Sequence, residues 1–164
     1  MIQQWRPPDP NIYKINFDAA VFQASNLAGV GVIVRDNRGD PIGVLTMPIP
    51  IRQSVVEFEA LACQRVVQFA LEIGLTQVVV EGDSVTVIEA LKNGMGQFTS
   101  YGNILDDIQF QSTCFQYVEF SYTSRVCNSV ADALAKKASS GIGLQVWLED
   151  LPEDIVPLVV RDVH

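Results

Sequence analysis

The run Tyr13-Lys14-Ile15-Asn16-Phe17-Asp18-Ala19 constrains the chain more than any other stretch, because it alternates in character and closes on a carboxylate. In an extended strand Tyr13, Ile15 and Phe17 fall on one face, and Lys14, Asn16 and Asp18 on the other. The pattern predicts a half-buried strand with an acid at its far end. Taken alone, an Asp in that place is a turn or cap residue. Its weight comes from the acids that follow.

Ala28 to Arg35 is β-branched and glycine-containing, Asp36-Asn37-Arg38-Gly39-Asp40 carries turn chemistry, and Pro41 to Met47 is a second β-rich run. These predict a hairpin after the first strand. Met47-Pro48-Ile49-Pro50 should end the sheet there, since proline cannot continue a central strand. Ser54 to Ile73 has helical periodicity, with Gly74 as its stop. Within it Glu57 joins a polar row (Leu61, Gln64, Gln68, Glu72), whereas Glu59 joins an apolar one (Cys63, Val66, Ala70, Ile73). A carboxylate on the core-facing stripe is costly unless a cation offsets it. The alternative is that Glu59 stays solvated in the first turn, favoured by the helix dipole.

Gln77 to Glu81 reads as a buried strand that follows a helical crossover, and so runs parallel to the first. Gly82-Asp83-Ser84 turns it into a helix, Val85 to Lys92, placing Asp83 at the carboxyl end of a parallel strand, where ligands collect. Capping of that helix is the competing role for Asp83 and Ser84. Tyr101 to Ser112 reads as a helix and Phe115 to Tyr122 as the last strand. Thr123 to Ala138 is a loop feeding a short helix, with Asp132 one turn in and Ser129 three residues before it, a spacing that also suits a capping box.

At 164 residues the chain suits one domain. Residues 1–12, with Pro7, Pro8 and Pro10, form an extended leader; 13–140 form the domain; 141–164, with Trp147, Pro152 and Pro157, form a strap packed on it. No apolar run reaches membrane-spanning length, and the first residues lack a signal peptide's hydrophobic block, so no membrane association is expected. Cys63, Cys114 and Cys127 are odd in number and lack C-x-x-C spacing, and the one histidine is His164. That argues against a zinc site or a disulfide framework and for a reducing intracellular compartment, cytoplasm or nucleus, with an organelle as the open alternative. A formal charge of −8 opposes nucleic-acid binding unless clustered carboxylates hold divalent metal.

Asp18, Glu59, Asp83 and Asp132 thus come in the order strand, hairpin, helix, strand, helix. With that order the chain resembles the ribonuclease H-like superfamily, and within it the plant reverse-transcriptase-like ribonuclease H domains of non-LTR retroelements. The residues that carry the likeness are Trp5, Pro7 and Pro8; Lys14-Ile15-Asn16-Phe17-Asp18; Gly29 to Asp36; Glu59-Ala60-Leu61-Ala62; Val80-Glu81-Gly82-Asp83-Ser84; and Arg125, Asn128, Ala131, Asp132, Leu134, Ala135 and Lys136. The resemblance implies an α/β fold with a mixed five-stranded sheet, its first three strands antiparallel and the rest parallel, flanked by helices. It implies a site of four carboxylates, Asp18, Glu59, Asp83 and Asp132, holding two Mg²⁺ (or Mn²⁺) roughly 4 Å apart for in-line phosphodiester hydrolysis. The substrate so implied is the RNA strand of an RNA–DNA hybrid, with Asn16, Ser84, Asn128 and backbone amides of the glycine-containing hairpin as polar contacts.

Two positions depart from the family pattern. Ala19 stands where a glycine is usual, and Tyr122 stands ten residues before the last Asp, where a histidine is usual. A phenol in water titrates far above neutrality and cannot shuttle protons as imidazole does. Slow turnover and weak, salt-sensitive hybrid affinity are the expectation, the latter from the charge of −8. A second hypothesis follows, in which a domesticated retroelement domain binds a nucleic-acid or protein partner without cutting, through an exposed apolar tail around Trp147.

Overall fold

The computed structural model describes residues 3–22, 24, 26–51, 54–94, 96, 99–138 and 143–163. β1 (Tyr13–Phe22), β2 (Leu27–Arg35) and β3 (Pro41–Pro50) make an antiparallel meander. α1 (Val55–Glu72) then crosses to β4 (Gln77–Gly82), which runs parallel to β1. α2 (Val85–Asn93) and α3 (Gly102–Ser112) lead to β5 (Tyr117–Tyr122), parallel to β4. A 3-10 turn, Arg125–Asn128, opens into α4 (Ser129–Ala138), and β6 (Gln145–Leu148) and α5 (Val156–Val163) follow. The strand order is β5-β4-β1-β2-β3-β6.

The sheet has six strands where five were expected, because part of the expected strap is itself a strand. β6 pairs antiparallel with β3, matching Gly43 to Leu148 and Thr46 to Gln145. Trp147 consequently lies half-buried on the α4 and α5 side, packed against the cluster of Ile33, Val44, Val130, Leu134, Ile155 and Val159, and is not the centre of an exposed patch. Pro48 and Pro50 do not end β3, which continues to Pro50 opposite Leu27. β6 covers only Gly43 to Thr46, so both prolines lie where β3 is a free edge, and their shared parity turns both missing N–H groups the same way.

β1 also differs from expectation. It runs on past Asp18 to Phe22, and it is buried on both faces because it is central. Ile15 and Phe17 meet the main core beneath α1, with Val30, Val32, Val66, Ala70, Val78, Val80 and Ile88. Asn16 and Asp18 face the other way, toward α4. That helix lies almost on the backbone of β2: a Cβ at Gly29 would strike the carbonyl of Ala135, and one at Gly31 the carbonyl of Ala131. The small residues Ala131, Ala135 and Ala138, one helical stripe, make the approach possible. The hairpin amides around Gly29 and Gly31 are therefore covered by protein and do not face a substrate, contrary to expectation.

The helix ends follow local chemistry. Ser54 accepts a hydrogen bond from the Glu57 N–H at 3.3 Å to start α1. Gly74, at φ +83°, ends it with bonds from its own N–H to Leu71 and from Leu75 to Ala70, the pair expected of a Schellman motif.

Candidate metal centre

The elements converge just past the point where β4 parts from β1. Their pairing ends at Asn16 opposite Glu81, so Asp18 on β1 and Asp83 after β4 emerge side by side. Gly82 permits this, because a Cβ there would collide with the Phe17 ring. Glu59 descends from the fifth position of α1. One carboxylate oxygen from each of Asp18, Glu59 and Asp83 lies within 4.8 Å of the other two. Asp18 and Glu59 are buried and Asp83 is partly exposed.

Ser84 and not Asp83 caps α2, its hydroxyl accepting from the Val87 N–H at 3.4 Å, which leaves the Asp83 carboxylate to the cluster. The solvated first-turn reading of Glu59 fails, since its side chain is buried. Glu59 Oε2 is shielded from solvent yet has no hydrogen-bond partner. An orphaned carboxylate oxygen beside two further acids is the donor set of a hard divalent cation, which takes oxygen ligands. The residues fit such a group.

Electrostatics agree. Burial and then the charge of Asp83 push the Asp18 carboxyl up to about 7. Burial and then Asp18 push Glu59 up to about 10. Asp83 is raised by burial, opposed by the nearby charge of Arg125 and the side chain of Asn128. Without a cation the cluster holds protons at neutral pH, shared between Asp18 and Glu59.

Asp132 stands apart from the tight group. Its carboxylate accepts from Lys136 at 2.8 Å, one turn along α4, although its charge acts to raise both Asp18 and Asp83. Asn16 is not a surface contact. It is fully buried, donating to Glu81 at 2.9 Å and Asn128 at 3.1 Å and accepting from Trp5 at 3.0 Å. Asn128 is buried too, and donates to the Phe17 carbonyl at 2.9 Å. Both amides tie the entry of α4 to the peptide before Asp18, and Asn128 also acts on Asp83, so they hold the site's frame from within and are not surface groups.

Asp18, Ala19, Val55, Glu59, Asp83, Ser84, Tyr122 and Arg125 line a cavity of about 320 Å³. Tyr122, the last residue of β5, stands at its rim, half exposed. Arg125, which sequence reasoning named only within a motif three positions before Asn128, lines this cavity, and its charge acts on Asp83.

The reverse transcriptase-like family model matches residues 16–138. The chain belongs to this family. No curated protein matches the sequence of this reverse transcriptase-like chain. Its ribonuclease H-like fold is shared with ribonuclease H1 of the halophilic archaeon Halobacterium salinarum, at a TM-score of 0.71 and 22% identity over 79% of this chain and 98% of that one. The N-terminal ribonuclease H domain of a Mycobacterium tuberculosis protein, solved as a maltose-binding-protein fusion, gives 0.70 and 20% over 79% and 94%. LC11 ribonuclease H1, solved in complex with an RNA/DNA hybrid, gives 0.68 and 18% over 76% and 94%.

Proposed function

We propose that the chain is a metal-dependent endoribonuclease that cuts the RNA strand of RNA–DNA hybrids. The observation that carries the reading is the convergence of Asp18, Glu59 and Asp83 with Glu59 Oε2 buried and unpartnered. Two Mg²⁺ or Mn²⁺, held by these three acids with Asp132 as the fourth, would supply an activated water and charge neutralisation at the leaving oxygen. The fold shared with ribonuclease H1 proteins, one of them solved with a hybrid, supports the choice of substrate.

The protein's own groups have distinct tasks. One oxygen of Asp18 accepts from the Ala19 N–H at 2.9 Å, which leaves the other free of that bond in a side chain that lines the cavity. Glu59, rooted in α1, presents an oxygen that water does not reach. Arg125 places positive charge beside Asp83, at the side where a phosphate would enter. Tyr122 offers a hydroxyl at the rim, which can position a water or a phosphate oxygen but is a poor proton carrier at neutral pH. The rate should accordingly be modest.

A second reading, a protein-interaction module, is favoured by Leu144, Val146 and Leu148, all more than 40% exposed on or beside the edge strand β6. One assay separates the two: cleavage of a labelled RNA strand paired to DNA, at low salt with Mg²⁺ or Mn²⁺. The Asp18→Asn/Asp83→Asn variant serves as control. Cutting by the wild type alone is expected. A folded, metal-binding wild type that leaves the RNA intact would overturn the nuclease reading and leave the module.

A further inference from the structure

A polar cavity that the acid site does not use lies next to it. A cavity of about 310 Å³ is bounded on one side by the leader (Gln3, Gln4, Trp5, Arg6) and on the other by Tyr122, Thr123, Ser124 and Cys127, with Lys14 and Glu81 at its floor. Tyr122 lines this cavity and the acid site alike, so the two adjoin at that residue. The lining carries two cations, Arg6 and Lys14, against one acid, Glu81, in a chain of net charge −8. Around it stand the hydroxyls of Thr123 and Ser124 and the amides of Gln3 and Gln4.

The leader that forms this wall is tied down at each of its first four described residues. Gln3 accepts from the Ser124 hydroxyl at 3.1 Å, and Gln4 donates to the Asp162 carbonyl at 2.8 Å. Trp5 is buried, donates to Asn16, and has the Arg35 guanidinium 3.9 Å from its ring centroid. The Arg6 carbonyl accepts from Lys14 at 2.8 Å. Lys14 is in turn committed to Glu81 at 3.3 Å. Arg6, by contrast, is exposed and forms no ion pair among the described residues. A fixed backbone with an exposed guanidinium over a hydroxyl-lined cavity is suited to a phosphate oxygen, for which the planar fork of Arg has the geometry.

We propose that the leader and the Tyr122–Cys127 segment form a phosphodiester-binding subsite, in which Arg6, with the Thr123 hydroxyl, holds the backbone of the bound strand beyond the scissile phosphate, while Ser124 keeps the leader in place through Gln3. The proposal rests on the nucleic-acid reading above. It gives the Trp5 anchor a purpose in binding as well as in folding: the anchor fixes the height of Arg6 beside the site. It also lets an acidic protein keep a polyanion, by confining the favourable charge to one track from Arg125 past Tyr122 to Arg6.

The test is fluorescence anisotropy of a labelled RNA–DNA hybrid with the non-cutting Asp18→Asn/Asp83→Asn protein, over a salt series. Arg6→Gln in that background should weaken binding at least threefold at low salt and reduce the slope of log affinity against log salt by about one. Arg65→Gln, on the far side of α1 and paired there with Glu72, should leave both unchanged. If Arg6→Gln binds as its parent does, or if Arg65→Gln costs as much, the subsite is overturned while hybrid binding stands. If the parent does not bind hybrid at all, the nucleic-acid reading falls and the subsite with it. Unchanged melting temperatures of both variants will confirm that folding is not the cause.

Discussion

Asp18 and Glu59 set the behaviour of the protein at the scale of single residues. Their folded-state carboxyls titrate near 7 and near 10, above the ordinary values of 3.8 and 4.5. The folded protein thus binds more protons than the unfolded chain once pH passes about 4, and stability falls as pH rises from there through 7, where Asp18 ionises, and on to about 10, where Glu59 does. In chelator, the melting temperature should drop steadily between pH 5 and pH 8. Glu59→Gln should flatten most of that slope, because the amide needs no proton to be neutral. Mg²⁺ should restore stability most at the alkaline end, by about 2.7 kcal/mol at a hundredfold excess over its dissociation constant. Thermal melts across pH, with and without metal, read all three. A metal-free protein that melts higher at pH 8 than at pH 5 would contradict the buried, proton-sharing pair.

At the scale of elements, the seating of α4 on β2 decides where Asp132 and Asn128 stand. Gly29 and Gly31 lie under Ala131, Ala135 and Ala138, with no room for a methyl group. The resemblance implies that the amides of the glycine-containing hairpin are polar contacts for a ligand, and nothing in the sequence links those glycines to the alanines. Their true relation is a contact between segments about a hundred residues apart, which no local pattern encodes. Gly31→Ala should force α4 outward and destabilise by about 3 kcal/mol. Cleavage should fall with it even at temperatures where the variant is folded, since Asp132 moves with the helix. Urea unfolding together with the hybrid assay at 15 °C separates the two effects. A variant as stable as the wild type would show that α4 does not sit against this backbone.

For the molecule as a whole, the last described helix is bolted to the first strands through charge. Arg35 is fully buried in β2 and pairs with Asp162 of α5 at 2.7 Å. The same guanidinium stacks on Trp5 and reaches Asn16 at 3.3 Å, so leader, sheet and C-terminal helix meet at one cation. Asp162→Ala leaves that charge buried and unpaired, and should cost about 3–5 kcal/mol. Asp162→Leu combined with Arg35→Met should recover most of the loss, because an apolar pair needs no partner. Denaturant titration of the two variants makes the comparison; a single variant losing less than 1 kcal/mol would mean that α5 adds little to the fold.

Much of this was readable in the linear chain because it depends on neighbours in sequence. Period two marked β1, period 3.6 put Glu59 on the apolar row of α1, and Gly74 marked that helix's end, all being local backbone and solvation effects. What needed the folded molecule were the relations between distant segments. Three acids from β1, α1 and the end of β4 meet within 4.8 Å, whereas Asp132, equally plausible in sequence, lies outside that group and pairs with Lys136. Asn16 turns inward because a central strand leaves no solvent on either face, and Asn128, at the end of the 3-10 turn, is buried by bonding to Asn16 and the Phe17 carbonyl. Pro48 and Pro50 stay in β3 because β6, a strand that the tail's composition did not announce, covers only half of that edge. Periodicity reports which face a residue takes; only packing assigns what that face meets.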